Sequence, residues 1–296
     1  MRALIVANPA SGNGGAIDVA SRIAAQLSIK GVSSETILEP SLAQTLEKVS
    51  STTAAKTFDV LICIGGDGLI HHLLEPLTRS NIPLLIIPQG SGNDCARSLG
   101  LNRLSHSQLL DLFFGNTLQE IDLGLITSKT ASKLFFQIAS TGFDAQVNRI
   151  ANGFTRIPPS LKYLVATLRS APQARAIKYK TAHQGMVTEN ESMLMLIANG
   201  ANYGRGMNIV PQANNQDGVL HLMHVDKVSW LRLLLVFPRV FVGSHVRHPK
   251  VHFSDIQPAD EITLDAPTMM YADGEWVTQL PATVTLAPVK LKVFCA

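Results

Sequence analysis

Three glycine-rich loops, each following a short apolar run, hold the residue types suited to cradling an anion. The first is Asn8-Pro9-Ala10-Ser11-Gly12-Asn13-Gly14-Gly15, ahead of a periodic stretch at 17–27. The second is Gly65-Gly66-Asp67-Gly68 and the third Gln89-Gly90-Ser91-Gly92-Asn93-Asp94. Glycine lets the backbone bend tightly and bring N–H groups up to a phosphate, and a following helix adds its dipole. Asp67 is placed to reach a metal or a metal-bound water. Ser91 and Asn93 suit phosphate or ribose, and Asp94 suits a cation or the stabilisation of its loop. Neither a Walker A motif nor the dinucleotide glycine spacing is present. Each loop alone is also explained as a turn, with Asp67 or Asp94 at a helix start. Three such loops in one sheet imply a nucleotide.

The elements that must position them follow from periodicity. Apolar runs at 3–7, 34–39, 58–64 and 83–88 alternate with helical spacing at 17–27, 42–49, 69–77 and 95–99. Strand–helix repeats of this kind predict a doubly wound parallel α/β sheet, with the loops at the carboxyl ends of its strands. After about residue 120 the texture changes. Strand-like runs at 133–141, 192–200, 218–225, 261–266 and 289–294 are separated by turns rich in Gly, Pro, Asn and Asp. They predict a mostly antiparallel, β-sandwich-like second domain with helical insertions at 159–170 and 228–242.

Composition narrows the class. Apolar residues make up 46% of 296 and charged residues 16%, which supplies a core and excludes a disordered chain. A net charge of +3 without clustered Lys/Arg does not support nucleic-acid binding. No apolar run reaches the length of a membrane span. The start, MRALIVANPASG, lacks the features of a signal peptide. Cys63, Cys95 and Cys295 lack metal-ligand spacing, and Cys63 reads as a core residue. The expected compartment is the cytoplasm.

The ordered series NPASGNGG, GGDG, GSGNDCAR, IDLG, ANG, DG and DGE resembles the diacylglycerol kinase catalytic-domain family, above all its bacterial lipid kinases, and covers nearly the whole chain. Sphingosine kinases share that fold family. The resemblance implies an ATP-binding α/β domain at 1–125, rejoined by 286–296, a β-rich lipid-substrate domain at 126–285, and an active site in the cleft between them. It implies ATP binding at Asn8, Pro9, Gly12, Gly65, Gly66, Asp67, Gly68, Ser91 and Asn93. Asp67, Asp94 and Asp122 resemble the acidic network that supports Mg²⁺, which prefers oxygen ligands shared with phosphates. Asp217, with carbonyls at Asn214 and Val219, resembles a second, structural cation site, although an ordinary Asp-Gly turn reads equally well there. Asn199, Gly200 and the run Tyr203-Gly204-Arg205-Gly206 resemble a loop near the cleft. In Asp273-Gly274-Glu275, Asp273 resembles the general base, with Glu275 its alternate or partner, and the competing reading is a hairpin turn.

Two departures from the family pattern bear on the nucleotide. Leu69-Ile70-His71-His72 stands where Thr-Ile-Asn-Glu is common, and Leu38-Glu39-Pro40 lacks a polar residue often found there. The segment from Trp230 to Val242, followed by Arg247 and Lys250, mixes apolar residues with cations. It reads either as a helix packed on the sandwich or as a contact with an anionic membrane. The expected activity is ATP- and Mg²⁺-dependent phosphorylation of a lipid hydroxyl, at the inner membrane surface. An NAD kinase-like enzyme and a non-catalytic nucleotide- or lipid-binding protein are the alternatives. The acceptor lipid and the oligomeric state, a homodimer among the options, stay open.

Overall fold

A computed structural model describes residues 1–296 other than Ala10 and Lys56, with only the backbone described at Gly12, Asn13, Pro159 and Ser160. It divides into two compact units, Met1–Ile121 with Val289–Ala296, and Asp122–Pro288.

The first unit runs β1 (Arg2–Ala7), α1 (Ala16–Ile29), β2 (Ser33–Ile37), α2 (Leu42–Ala54), β3 (Val60–Gly65), α3 (Asp67–Ser80), β4 (Leu84–Pro88), α4 (Asp94–Ser98), α5 (His106–Phe114) and β5 (Leu118–Ile121). Strands lie in the order β2-β1-β3-β4, then the last strand of the chain (Leu291–Phe294), then β5. All are parallel to their neighbours except β5, which pairs antiparallel with that last strand. The central strands β1, β3 and β4 are buried almost throughout, which is why each reads as an unbroken apolar run. Parallel pairing brings the carboxyl ends of β1, β3 and β4 to one edge, so the three glycine loops emerge together.

The second unit continues with β6 (Gly124–Thr127), β7 (Ser132–Phe135), β8 (Ile138–Gly142), α6 (Phe143–Asn152), α7 (Pro159–Ser170), β9 (Ile177–His183) and β10 (Met186–Ala198). A two-strand pair, β11 (Asn202–Tyr203) and β12 (Met207–Asn208), precedes β13 (Leu220–Asp226), α8 (Trp230–Val240) and β14 (Val251–Ile256). Then come β15 (Glu261–Asp265), β16 (Met269–Ala272), β17 (Glu275–Gln279) and β18 (Ala282–Leu286), and the chain closes with β19 (Leu291–Phe294) in the first unit.

The strands of the second unit, apart from β11 and β12, form one antiparallel sheet whose pivot is β10. The first half of β10 pairs with β9, and the second half lies between β8 and β13. Its run Met193–Ala198 is buried on both faces. Met195 and Ile197 enter a core enclosed by the sheet, and Leu194, Leu196 and Ala198 enter a second core beneath α6, α7 and α8. Period-2 alternation is therefore present but hidden, because both faces are apolar. The single strand expected at 133–141 is instead two, β7 and β8, interrupted at Phe136 and Gln137. The interruption has a chemical cause at Asp273.

Candidate active site

The loops of the first unit are built for close backbone approach. Gly66 and Gly90 stand so near that a Cβ on Gly66 would lie 2.8 Å from the Gly90 Cα, and a Cβ on Gly90 2.4 Å from the Gly66 Cα. Any side chain at either position would push the β3 and β4 loops apart. Gly65 is also constrained, since a Cβ there would meet Leu69 at 2.9 Å. Leu69 thus packs back on the loop where the family commonly has Thr. His71 is buried beside His72, edge to face.

Asn93 adopts a left-handed conformation, φ 57°, and its amide closes its own loop. Its Oδ1 accepts from Gly90 N–H at 2.8 Å, and its Nδ2 donates to the Gly90 carbonyl at 3.0 Å. The side chain therefore shapes the loop, while Ser91, at the tip, is exposed. Asp67, at the first turn of α3, accepts from Cys95 N–H at 2.9 Å and so ties α3 to the start of α4. Asp94 is buried there, with Arg97 Nε 3.8 Å from its carboxylate. Asn8 donates its N–H to the Ile64 carbonyl at 3.3 Å, linking the first loop to β3. Pro9 follows Asn8 in that loop, the backbone of Gly12 belongs to the short turn Ser11–Gly14, and Ala10 lies outside the described residues. Glycine loops that can offer N–H groups, backed by two carboxylates that offer oxygen ligands, fit a nucleotide phosphate with Mg²⁺.

Asp122 opens the second unit. Its N–H donates to the Asn215 carbonyl at 2.7 Å, and its carboxylate accepts from Gly218 N–H at 2.8 Å. Asp217 closes the same loop, accepting from Val219 N–H at 2.9 Å and donating its own N–H to the Asn214 carbonyl at 3.3 Å. Asp217, Asn214 and Val219 are thus brought together, with His221 Nε2 3.8 Å from the Asp217 carboxylate. Asn199, fully buried, binds both the Asp122 and Phe136 carbonyls through Nδ2, at 2.8 and 2.7 Å.

Asp273, φ 50°, precedes β17. Its carboxylate accepts three backbone N–H groups: Phe136 at 2.8 Å, Gln137 at 2.8 Å and Ile138 at 3.1 Å. The first two N–H groups belong to the break between β7 and β8 and the third opens β8, so the carboxylate satisfies donors that the interrupted ladder leaves. Glu275 stands two residues on, half-buried at the start of β17.

Three residues absent from the motif reading, Asp144, Asn148 and Tyr163, join Tyr203 in a largely buried polar cluster of the second unit. Asp144 and Asn148 on α6 meet Tyr163 of α7 and Tyr203 of β11. Tyr163 donates its hydroxyl to Asp144, and Asn148 Nδ2 donates to Asp144 at 2.9 Å and to the Tyr203 hydroxyl at 2.7 Å. Burial pushes the Asp144 carboxyl up, against opposing hydrogen bonds from Ser140, Tyr163, Tyr203 and Asn148. Burial, then the adjacent Asp144, pushes the Tyr203 hydroxyl well up. Asp144 lines a cavity of about 90 Å³ whose surface is mainly apolar, from Phe143, Leu194, Met223, Leu233 and Phe237 among others, with Arg232, His245 and His248 also on its wall. A signal for it exists in the sequence: Gly142-Phe143-Asp144 opens a helix after a strand, as Gly65-Gly66-Asp67 does.

Comparison with known proteins agrees with this architecture. Residues 2–126 match the family described as the diacylglycerol kinase catalytic domain. Residues 137–295 match the YegS C-terminal NAD kinase beta sandwich-like domain. A diacylglycerol kinase of Mycobacterium tuberculosis is 32% identical over 291 residues, spanning 97% of this chain and 92% of the relative. One from Staphylococcus saprophyticus is 28% identical over 84% of this chain and 82% of its own length. Among solved structures, a diacylglycerol kinase from Bacillus anthracis superposes with a TM-score of 0.73 at 16% identity, covering 100% of this chain and 97% of the other. At that identity the superposition speaks for the fold alone. The family matches and the near full-length relative carry the assignment: the chain belongs to the diacylglycerol kinase family of lipid kinases.

Proposed function

We propose that the protein transfers the γ-phosphoryl group of ATP to the hydroxyl of a lipid. The observation that carries this reading is the apolar cavity of the second unit, the unit that also holds Asp273 and Glu275. An acyl chain gains roughly 0.8 kcal/mol for each methylene taken out of water, so an apolar cavity selects for it. Asn8, Gly12, Gly65, Gly66, Gly68 and Ser91 hold the nucleotide, and Asn93 sets the loop that carries Ser91. Asp67 and Asp94 would hold Mg²⁺, which when bound neutralises charge on the phosphates.

Asp273 receives the proton of the acceptor hydroxyl. Three N–H donors fix the orientation of its carboxylate, the group type that takes up a proton in such a transfer. Glu275 is the alternate.

The membrane side of the reading rests on α8. Leu233, Leu234, Phe237 and Val240 pack inward, whereas Leu231 and Leu235 are 56% and 78% exposed. Leu161, Leu164 and Leu168 of α7 are exposed as well, and Arg232, Arg239 and Lys162 lie on the same two helices. Among the described residues no helix is long and apolar enough to cross a membrane. Exposed leucines beside cations suit docking to an anionic bilayer surface.

The deciding experiment follows labelled phosphate from ATP and Mg²⁺ into a panel of lipids in mixed micelles, with NAD and a lipid-free blank. Labelled lipid is expected, with turnover abolished in Asp273→Asn and retained in Glu275→Gln. The reverse pattern would assign the base to Glu275. Label in NADP, with none in lipid, would overturn the acceptor class.

A further inference from the structure

His224 and His252 face each other across β13 and β14 as direct register partners. Their rings stack with centroids 4.8 Å apart. Asp226 lies two residues beyond His224 on the same strand and therefore on the same face. Its carboxylate is 3.1 Å from His252 Nε2 and 3.2 Å from Lys250 Nζ. One ligand atom from each of His224, Asp226 and His252 lies within 4.8 Å of the others. Ligands around a tetrahedral zinc stand roughly 3.3 Å apart, so the Asp226–His252 pair already fits. The His252 side chain is 43% exposed, and its ring already lies against that of His224.

We propose that His224, Asp226 and His252 form a binding site for one zinc-class divalent cation, and that this ion clasps together the two ends of the excursion carrying α8. Two imidazoles and one carboxylate suit zinc, cobalt, nickel or copper and are a poor match for Mg²⁺, which wants oxygen alone. The Lys250 ammonium is the cation's competitor for Asp226, so binding displaces it. Residues 227–250 leave the sheet after Asp226 and return at Val251, next to His252, and they supply Leu233, Phe237 and Val240 to the cavity wall. A bond across their base restrains that wall. This site is independent of the phosphoryl-transfer reading.

The test uses the full chain, stripped with a chelator and titrated with Zn²⁺ against a chromophoric competitor, with excess Mg²⁺ present to occupy oxygen sites. The wild type is expected to bind one zinc at micromolar or lower concentration, and Co²⁺ in its place to give the intense visible bands of a low-coordinate nitrogen–oxygen site. His252→Ala, a change at an exposed residue, weakens binding at least about tenfold, the scale of losing one ligand. Lys250→Gln tightens it. Zinc slows amide exchange across 230–240 in the wild type and leaves His252→Ala unchanged. Equal affinity in wild type, His224→Ala and His252→Ala, displacement of zinc by Mg²⁺, or binding without slowed exchange would each overturn the proposal.

Discussion

Asp273 shows how one carboxylate can hold a break in a strand. It stands in for a strand partner to Phe136, Gln137 and Ile138, and Phe136 is fully buried. Asparagine keeps the shape but turns an NH₂ toward N–H donors, leaving at least one buried donor unpaired. Asp273→Asn should therefore lower stability by about 2–3 kcal/mol, besides abolishing turnover. Glu275→Gln, which breaks no such contact, should leave the urea midpoint unchanged. Equal midpoints for Asp273→Asn and the wild type would mean that the three N–H bonds do not hold the segment. The DGE motif made Asp273 legible in the sequence as a proposed base. Its structural role was not, because its partners lie 135 to 137 positions earlier, beyond any local pattern. Asn93 is a similar case: its type suggested phosphate or ribose, yet its amide is committed to Gly90.

At the scale of elements, legibility followed periodicity. The α/β repeats were readable because β1, β3 and β4 are continuous apolar runs broken by glycine loops. The β7–β8 break was not, because KLFFQIAST carries a strand pattern right through it and only a distant carboxylate interrupts it. α8 was left between two readings, packed helix or membrane contact, and the structure gives it both a packed and an exposed face. Its outer face is where a membrane test belongs. Leu235 is 78% exposed, so Leu235→Glu should shift folding stability by less than about 0.5 kcal/mol. If the leucine inserts into a bilayer, losing it removes roughly 1.5–3 kcal/mol, a ten- to hundredfold drop in partitioning onto anionic vesicles. Sedimentation with phosphatidylglycerol vesicles measures this directly. Unchanged partitioning in Leu235→Glu would take α8 out of the membrane contact.

The whole molecule is laid out so that its two units depend on the chain termini unequally. Asp122–Pro288 is one continuous segment with two apolar cores of its own. The first unit is discontinuous, because Val289–Ala296 returns to place β19 between β4 and β5. Leu291, Val293 and Phe294 are buried there, and Phe294 meets Phe113 of α5 edge to face. Removing β19 strips hydrogen-bonding partners from both neighbours and opens apolar surface inside the sheet, the arrangement that invites aggregation. A fragment spanning 122–288 should therefore fold and unfold cooperatively, followed by near-ultraviolet circular dichroism in urea. A fragment of 1–121 should be unfolded or aggregated. Joining 289–296 to residue 121 through a flexible linker should restore a cooperative transition. A folded 1–121 without those eight residues would show that the returning strand is an accessory to the sheet, and the sequence's late apolar run VKLKVF would lose its structural rationale.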